Sequence, residues 1–340
     1  ATEGRKIRRL PKMWRVVVAA SLALAQSNDP SEFAAGPAPE DGLEANFSGF
    51  TVTVWETTGD AYQGVAVDED SIYAVTNRRV TKMDKATGEL LLQWDGELAF
   101  PNGHLASGAV VNLTGTPLLY CANSNWPAWP MASSVEIFDP DTMEHVDSFS
   151  FGIQLGSLTW LAWNPRDASW WGTFANYDHF QVGAMDSYGK GHYVQVARMD
   201  TSFQVQELFQ IPRTVRATFQ RMSNSGGSWG PDGFLYLSGH DLPQVYVLEK
   251  PLMGHTLHLV AVVDVPDISG QGIAWDWSAS EPTLYGVHRP DTTVIVTRMP
   301  GFDLIQSVAR PQAAGVVHEN VTEFSSSAKK NATVGSTQNS

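Results

Sequence analysis

The sequence predicts an all-β protein, and three observations predict it. Short runs of Val, Ile, Leu, Tyr and Trp are separated by Gly, Pro, Asp and Asn, the punctuation of strands and turns. Sustained 3.6-residue periodicity is almost absent, which excludes a fold built on long amphipathic helices. One order of features recurs five times between Gly64 and Ala309, and such recurrence marks a repeat architecture.

Each recurrence is justified strand by strand. A first strand starts at a small or polar residue and ends at Asp or Asn: GVAVD to Asp68, SGAVVN to Asn112, LTWLAWN to Asn164, GSWGPD to Asp232 and GIAWD to Asp276. Asp and Asn close turns because their short side chains bond the backbone two residues on. A second strand carries an aromatic: Tyr73, Tyr120, Trp170 with Trp171, Tyr236 and Tyr285. A third runs through VTKMD, SVEIFD, VQVARMD, QVYVLE and TVIVTRM. A fourth runs through ELLLQW, HVDSFSF, VQELFQI, LHLVAVV and LIQSVA, reached in the first two units by the turns DKATGE and DPDT. Four strands in a unit of roughly 45 residues describe one blade of a β-propeller. The expected fold is therefore a propeller of five four-stranded blades, with six or seven as alternatives. An insertion from Tyr177 to His192 lengthens the third unit. A strand from Phe50 to Trp55 precedes the first unit; it either closes the ring against the last blade or adds an outer strand.

The flanks have other compositions. Arg5, Lys6, Arg8, Arg9 and Lys12 precede the apolar stretch Trp14 to Ala25, which is too short to span a bilayer and ends in Ala23-Leu24-Ala25. Residues 1–25 thus read as an export signal and residues 26–48 as a linker. The propeller is expected over 49–311. Residues 312–340 read as a disordered polar tail, since few large apolar side chains offset the ordering entropy. A secreted or extracytoplasmic monomer without a membrane span follows. The Asn-x-Ser/Thr triplets at Asn46, Asn112, Asn320 and Asn331 then become candidate glycan sites of a glycoprotein.

Charge narrows the partners. Lys and Arg number 22 against 36 Asp and Glu, a net charge of −14, so neither nucleic acid nor an anionic membrane surface is the expected partner. The single cysteine, Cys121, rules out an intramolecular disulfide. Its apolar run, Leu118 to Ala122, predicts a buried inert thiol, with a nucleophile as the alternative.

Blade topology places the candidate site. The entrance of each first strand shares a rim of the central channel with the loop between second and third strands. The loops supply Asn77 and Arg78; Asn123, Asn125, Trp126 and Trp129; Asn176, Asp178 and His179; His240 and Asp241; and His288, Arg289 and Asp291. The entrances supply Gln63, His104, Ser157, Ser223, Asn224 and Gln271. Gln63, Asn77, Asn123, Asn125, Trp126, Asn176, Asp178, Asn224, Asp241, Gln271 and Arg289 are the candidate ligand-binding residues. His104, His240 and His288 are candidates for acid–base catalysis, or for holding a divalent metal, zinc through imidazole nitrogens or calcium with Asn and Asp oxygens. The bland alternative is that these Asn and His side chains bond turns and neighbouring blades. Trp126 and Trp129 either stack on a sugar or pack a Pro-rich loop. The pair Gly226-Gly227 leads into a strand, not a helix, so close inner-strand packing explains it better than a phosphate cradle.

Several long stretches carry a resemblance: SNSGGSWGPDGFLYLSGHDLPQVYVL from Ser223, CANSNWPAWPMASSVEIFDPDTMEHV from Cys121, GSLTWLAW from Gly156, ANYD from Ala175 and GQGIAWDWS from Gly270. They resemble a family of exported propeller proteins of uncharacterised activity, some of which are called cycloisomerase-like. The resemblance spans Tyr62 to Arg298 and implies fold and export but no catalytic residues. At fold level the chain is also similar to YVTN-type, SMP-30-type lactonase and plant-type glutaminyl cyclase propellers. The lactonase metal pattern is not reproduced, since His stands where carboxylates are expected. Three functions remain: binding of a small polar or glycan ligand at the channel face; a lactonase, cyclase or lyase with a histidine-rich site; and a protein-interaction platform.

Overall fold

The structure is a computed structural model that describes residues 52–55, 61–98, 103–154, 156–177, 194–219 and 222–299. The expected signal, linker and tail, the sequons at Asn46, Asn320 and Asn331, and most of the insertion after Tyr177 lie outside the described residues.

The chain is a β-propeller. Strands β2 (Gly64–Val67), β3 (Ser71–Val75), β4 (Arg79–Asp84) and β5 (Leu90–Asp95) form the first antiparallel meander. Strands β6 (His104–Asn112), β7 (Pro117–Ser124), β8 (Ala132–Phe138) and β9 (His145–Ile153) form the second. The third has β10 (Ser157–Asn164), β11 (Ser169–Ala175), β12 (Gln195–Met199) and β13 (Val205–Gln210). The fourth has β14 (Gly226–Trp229), β15 (Leu235–Ser238), β16 (Gln244–Glu249) and β17 (His258–Asp264). The last has β18 (Ala274–Trp275), β19 (Thr283–His288) and β20 (Thr293–Arg298), completed by β1 (Val52–Trp55). Each innermost strand touches that of the next sheet, and β18 touches β2. Between β6 and β10 the approach makes a parallel pairing at Ser107 and Trp160, which merges two meanders into one eight-stranded sheet.

Strand β1 pairs antiparallel with β20, Val52 opposite Thr297 and Trp55 opposite Val294. It therefore pairs with the last blade, as the outermost strand of that sheet. It occupies the fourth-strand position expected for LIQSVA, residues 304–309, which lie outside the described residues.

The recurring Asp or Asn has one job in all five meanders. Asp68 Oδ1 accepts the Asp70 and Ser71 amides, Asn112 that of Gly115, Asn164 that of Arg166, Asp232 that of Phe234, and Asp276 those of Ser278 and Ala279. Each side chain thus closes the turn that sends the chain from first to second strand. In two sheets the second carboxylate oxygen also holds the aromatic of the next strand: Tyr73 donates to Asp68 at 2.7 Å and Tyr236 to Asp232 at 2.6 Å. Asp84, Asp139 and Asp200 cap the outer hairpins in the same way.

Both faces of each sheet are buried, which explains runs that are apolar without alternation. On β3, Ile72 and Ala74 pack toward the last sheet with Tyr285 and Val287, while Tyr73 and Val75 pack toward the second with Leu119 and Phe138. Five apolar clusters fill the five junctions between neighbouring sheets. The largest buried side chains, Trp160, Trp170 and Trp171, border the third sheet. Near the axis there is no room for side chains: a Cβ on Gly272 would lie 2.4 Å from that of Ser107, and one on Gly226 2.1 Å from the Gln271 carbonyl oxygen. A Cβ on Gly227 would strike the Trp160 ring at 2.5 Å. Gly226-Gly227 is thus a packing device.

One short helix, α1 (Arg213–Thr218), sits between β13 and β14 and adds Val215 and the following Phe219 to the core. Cys121 is buried, and burial pushes its thiol up, away from thiolate reactivity. Asn112 is exposed at its turn. Among the described residues no helix is long and apolar enough to cross a membrane.

Candidate functional site

At the expected rim, Gln63 enters β2 and Asn77 lies in the β3–β4 loop. Gln63 Nε2 donates to Asn77 Oδ1 at 2.7 Å and lies 3.4 Å from His104 Nε2. The amide nitrogen can only donate, so His104 accepts there and carries its proton on Nδ1. The Leu105 amide donates to the Asn77 carbonyl at 3.0 Å and ties this loop to the next sheet. Trp126, from the β7–β8 loop, stands edge-on to His104 with ring centroids 5.1 Å apart, and Tyr177 packs edge-on to Trp126 at 5.9 Å.

Across the rim, Arg289 Nη1 donates to His240 Nε2 at 2.7 Å. Guanidinium has no lone pair to offer, so His240 carries its proton on Nδ1 and donates it to Asp241 Oδ1. The Arg289 guanidinium lies 4.2 Å over the ring of Tyr62. Burial depresses the pKa of His104 to about 4, helped by the positive charge of Arg289 and by His240. His104 is therefore neutral at neutral pH. Burial also lowers the pKa of His240, with Arg289 in the same direction and Asp241 opposing both. The mutual influence places His104, His240 and Arg289, from three different sheets, in one electrostatic neighbourhood.

Other candidate residues hold the architecture. Fully buried Asn123 accepts the His104 amide at 2.9 Å and donates to Ser134 and Glu136 at 3.0 Å each. Asn125 clasps the Pro-rich loop, donating to the Pro130 carbonyl and accepting the Ala132 amide. Asn224 accepts the Trp160 indole N–H at 2.6 Å and donates to the carbonyls of Gly226 and Ser238. Gln271 is buried in the left-handed region (φ 69°), its carbonyl accepting the Ser238 hydroxyl and its amide bonded to Gly239. Asn176 is fully buried. Asp178 and His179 lie outside the described residues.

His104, His240 and His288 are not brought together as a metal-ligand set. Among the described residues no three His, Cys, Asp or Glu side chains are grouped to hold an ion. The physical reason is local: His240 is bonded to Arg289, and His288 Nδ1 is paired at 2.9 Å with Asp291. Sequence reasoning missed Tyr62 and Tyr177. An aromatic next to a strand entrance reads as core, and only tertiary structure shows Tyr62 half-exposed beneath a guanidinium.

Fold and rim together define a class: a β-propeller that gathers polar, cationic and aromatic side chains from several sheets at one end of its axis. No family model and no curated protein matches the sequence. Among solved structures the chain is similar to the glutaminyl cyclase of Myxococcus xanthus, with a TM-score of 0.50 and 11% identity over 75% of this chain and 98% of that one. It is also similar to a luciferin-regenerating enzyme (TM-score 0.47, 12% identity, 74% and 96% covered) and to the calcium-binding protein regucalcin of Agrobacterium tumefaciens (TM-score 0.42, 12% identity, 71% and 76% covered). At this identity the likeness to the cyclase shows the fold alone.

Proposed function

We propose that the protein is an exported propeller that binds a small polar or glycan ligand at the channel mouth. The observation that carries this reading is the convergence on His104 of Gln63 and Trp126, in the same neighbourhood as His240 and Arg289. Neutral donors and acceptors, one cation and an aromatic wall are the parts of a small-molecule site. Binding is favoured over acid–base catalysis at the two histidines of this neighbourhood because Gln63 donates to His104 Nε2 and Arg289 to His240 Nε2, the nitrogens that would otherwise accept a proton.

The test is a thermal-shift and calorimetric screen of sugars, sugar acids and small polar metabolites. A responding ligand is expected to lose at least about tenfold in affinity on Trp126→Ala and on His104→Leu, the size of one lost buried contact. Lactone or cyclase turnover by the protein, abolished in His104→Leu, would instead favour the enzyme reading.

A further inference from the structure

We infer that the mouth receives its ligand through a carboxylate, seated on the Nε–Nη2 edge of Arg289; this rests on the ligand-binding reading above. The guanidinium is fixed before any ligand arrives. Its face lies on Tyr62, Nη1 is bonded to His240, and the Arg289 amide donates to Ser269 Oγ at 3.1 Å. His240 is itself oriented by Asp241. Holding a long side chain in one place removes the entropy that a ligand would otherwise have to overcome.

What this clamp leaves free is informative. Nη2 donates to no protein group among the described residues, and Nε is buried without a hydrogen-bond partner. These two nitrogens form the side-on edge of a guanidinium, whose two parallel N–H bonds match the two oxygens of a carboxylate. A buried N–H without an acceptor costs about 1–3 kcal/mol, so an arriving carboxylate would relieve a deficit already present.

Charge points the same way. The chain carries 36 acidic residues against 22 basic, yet no carboxylate among the described residues pairs with Arg289. Asp241 is engaged with His240. The neighbouring groups, Gln63 and the neutral His104, bring hydrogen-bonding capacity without charge. At its unbonded edge Arg289 offers a single positive charge, which matches a monoanion. A phosphate monoester, close to doubly charged at neutral pH, would ask for more positive charge than this one guanidinium supplies. The indole of Trp126, whose N–H is buried without a partner, offers the wall for the ligand's body.

Calorimetry on the full chain at pH 7.5 and low salt would test this with pairs of probes. Acetate, benzoate and glucuronate are each set against a neutral counterpart: acetamide, benzamide and methyl glucoside. Inorganic phosphate is added as a competing anion. The expected result is binding of at least one acid, at least about tenfold tighter than its neutral partner and weakening with salt. Arg289→Gln should remove that preference, bringing the acid down to the affinity of its neutral counterpart. Arg289→Lys, which keeps the charge without the fork, should also lose most of it. Equal binding of acid and neutral probe, tighter binding of phosphate, or an acid preference surviving in Arg289→Gln would overturn the carboxylate assignment and leave ligand binding standing. Silence from every probe, acid and neutral alike, would overturn both.

Discussion

At the scale of single residues, one hydrogen-bonded chain runs from the mouth to the outside of the second sheet. The His104 amide donates to Asn123, Asn123 donates to Glu136, and Glu136 Oε2 meets His145 Nε2 at 2.7 Å and accepts from Ser148 at 2.5 Å. The Glu136 side chain is fully buried. Burial alone would raise its pKa, but the bonds from His145, Ser134 and Ser148 outweigh it and hold the carboxyl below the usual glutamate range. A folded-state pKa below the unfolded value contributes stability that is present above the unfolded pKa and lost as pH falls through the folded one. Unfolding in urea should therefore become easier below about pH 4.3. Glu136→Gln should cost about 1–3 kcal/mol at pH 7 and flatten that acid limb; an unchanged limb would mean that Glu136 is not the group responsible. His104 acts in a higher window. Its pKa falls from 6.5 to about 4 on folding, so the unfolded chain binds the extra proton between those values and stability declines as pH drops from 6.5 toward 4. In His104→Gln that portion of the slope should shrink, with the His240 contribution remaining. The rim position of His104 is legible in the sequence, because strand topology dictates it. The tethering roles of Asn123, Asn125, Asn224 and Gln271 are not, because the same amide groups serve a ligand or a backbone carbonyl and only the fold decides which lies within reach.

At the scale of elements, the sequence speaks most clearly where one residue performs a local task. The Asp or Asn ending each first strand bonds amides two or three residues away, so its signal survives in the chain without tertiary context. Strand β1 is the opposite case: its partner β20 is more than two hundred residues away, and nothing local chooses between ring closure and an added edge strand. Helix α1, six residues long, is too short to show a period. The turn residues are not equivalent, however. Asp232 bonds both the turn and Tyr236, and burial raises its pKa against the opposing pull of those bonds. Asp84 caps an exposed outer hairpin through Ala86 and Thr87. Asp232→Ala should therefore cost about 1–3 kcal/mol, and Asp84→Ala clearly less, as at other exposed sites. Asp232→Asn, which can still accept from the Phe234 amide, should recover much of the loss. Chemical denaturation of the three variants checks the order, and equal losses at the two aspartates would contradict it.

At the scale of the whole molecule, stability depends on closing the ring. Five apolar clusters lie between neighbouring sheets, and the one joining the last sheet to the first contains Val65, Ile72 and Met83 on one side and Tyr285, Val287 and Val294 on the other. That junction closes the circuit, and the last sheet reaches four strands only because β1 adds to the edge of β20 through Val52 to Trp55. Without β1 the N–H and C=O groups of β20 facing it lose their ladder partners. The loss should spread beyond one sheet, since neighbours in a ring support each other on both faces. A chain lacking residues up to Trp55 should thus melt at lower temperature, with reduced cooperativity rather than a simple shift. Thr53→Pro, which puts a proline inside a strand of four residues, should lower the midpoint in the same sense. A synthetic peptide covering residues 49–57, added in excess, should restore part of the lost stability in proportion to its concentration. Calorimetry with and without the peptide decides the matter. A truncated chain that melts like the full one would show that β1 decorates the last sheet without closing the ring.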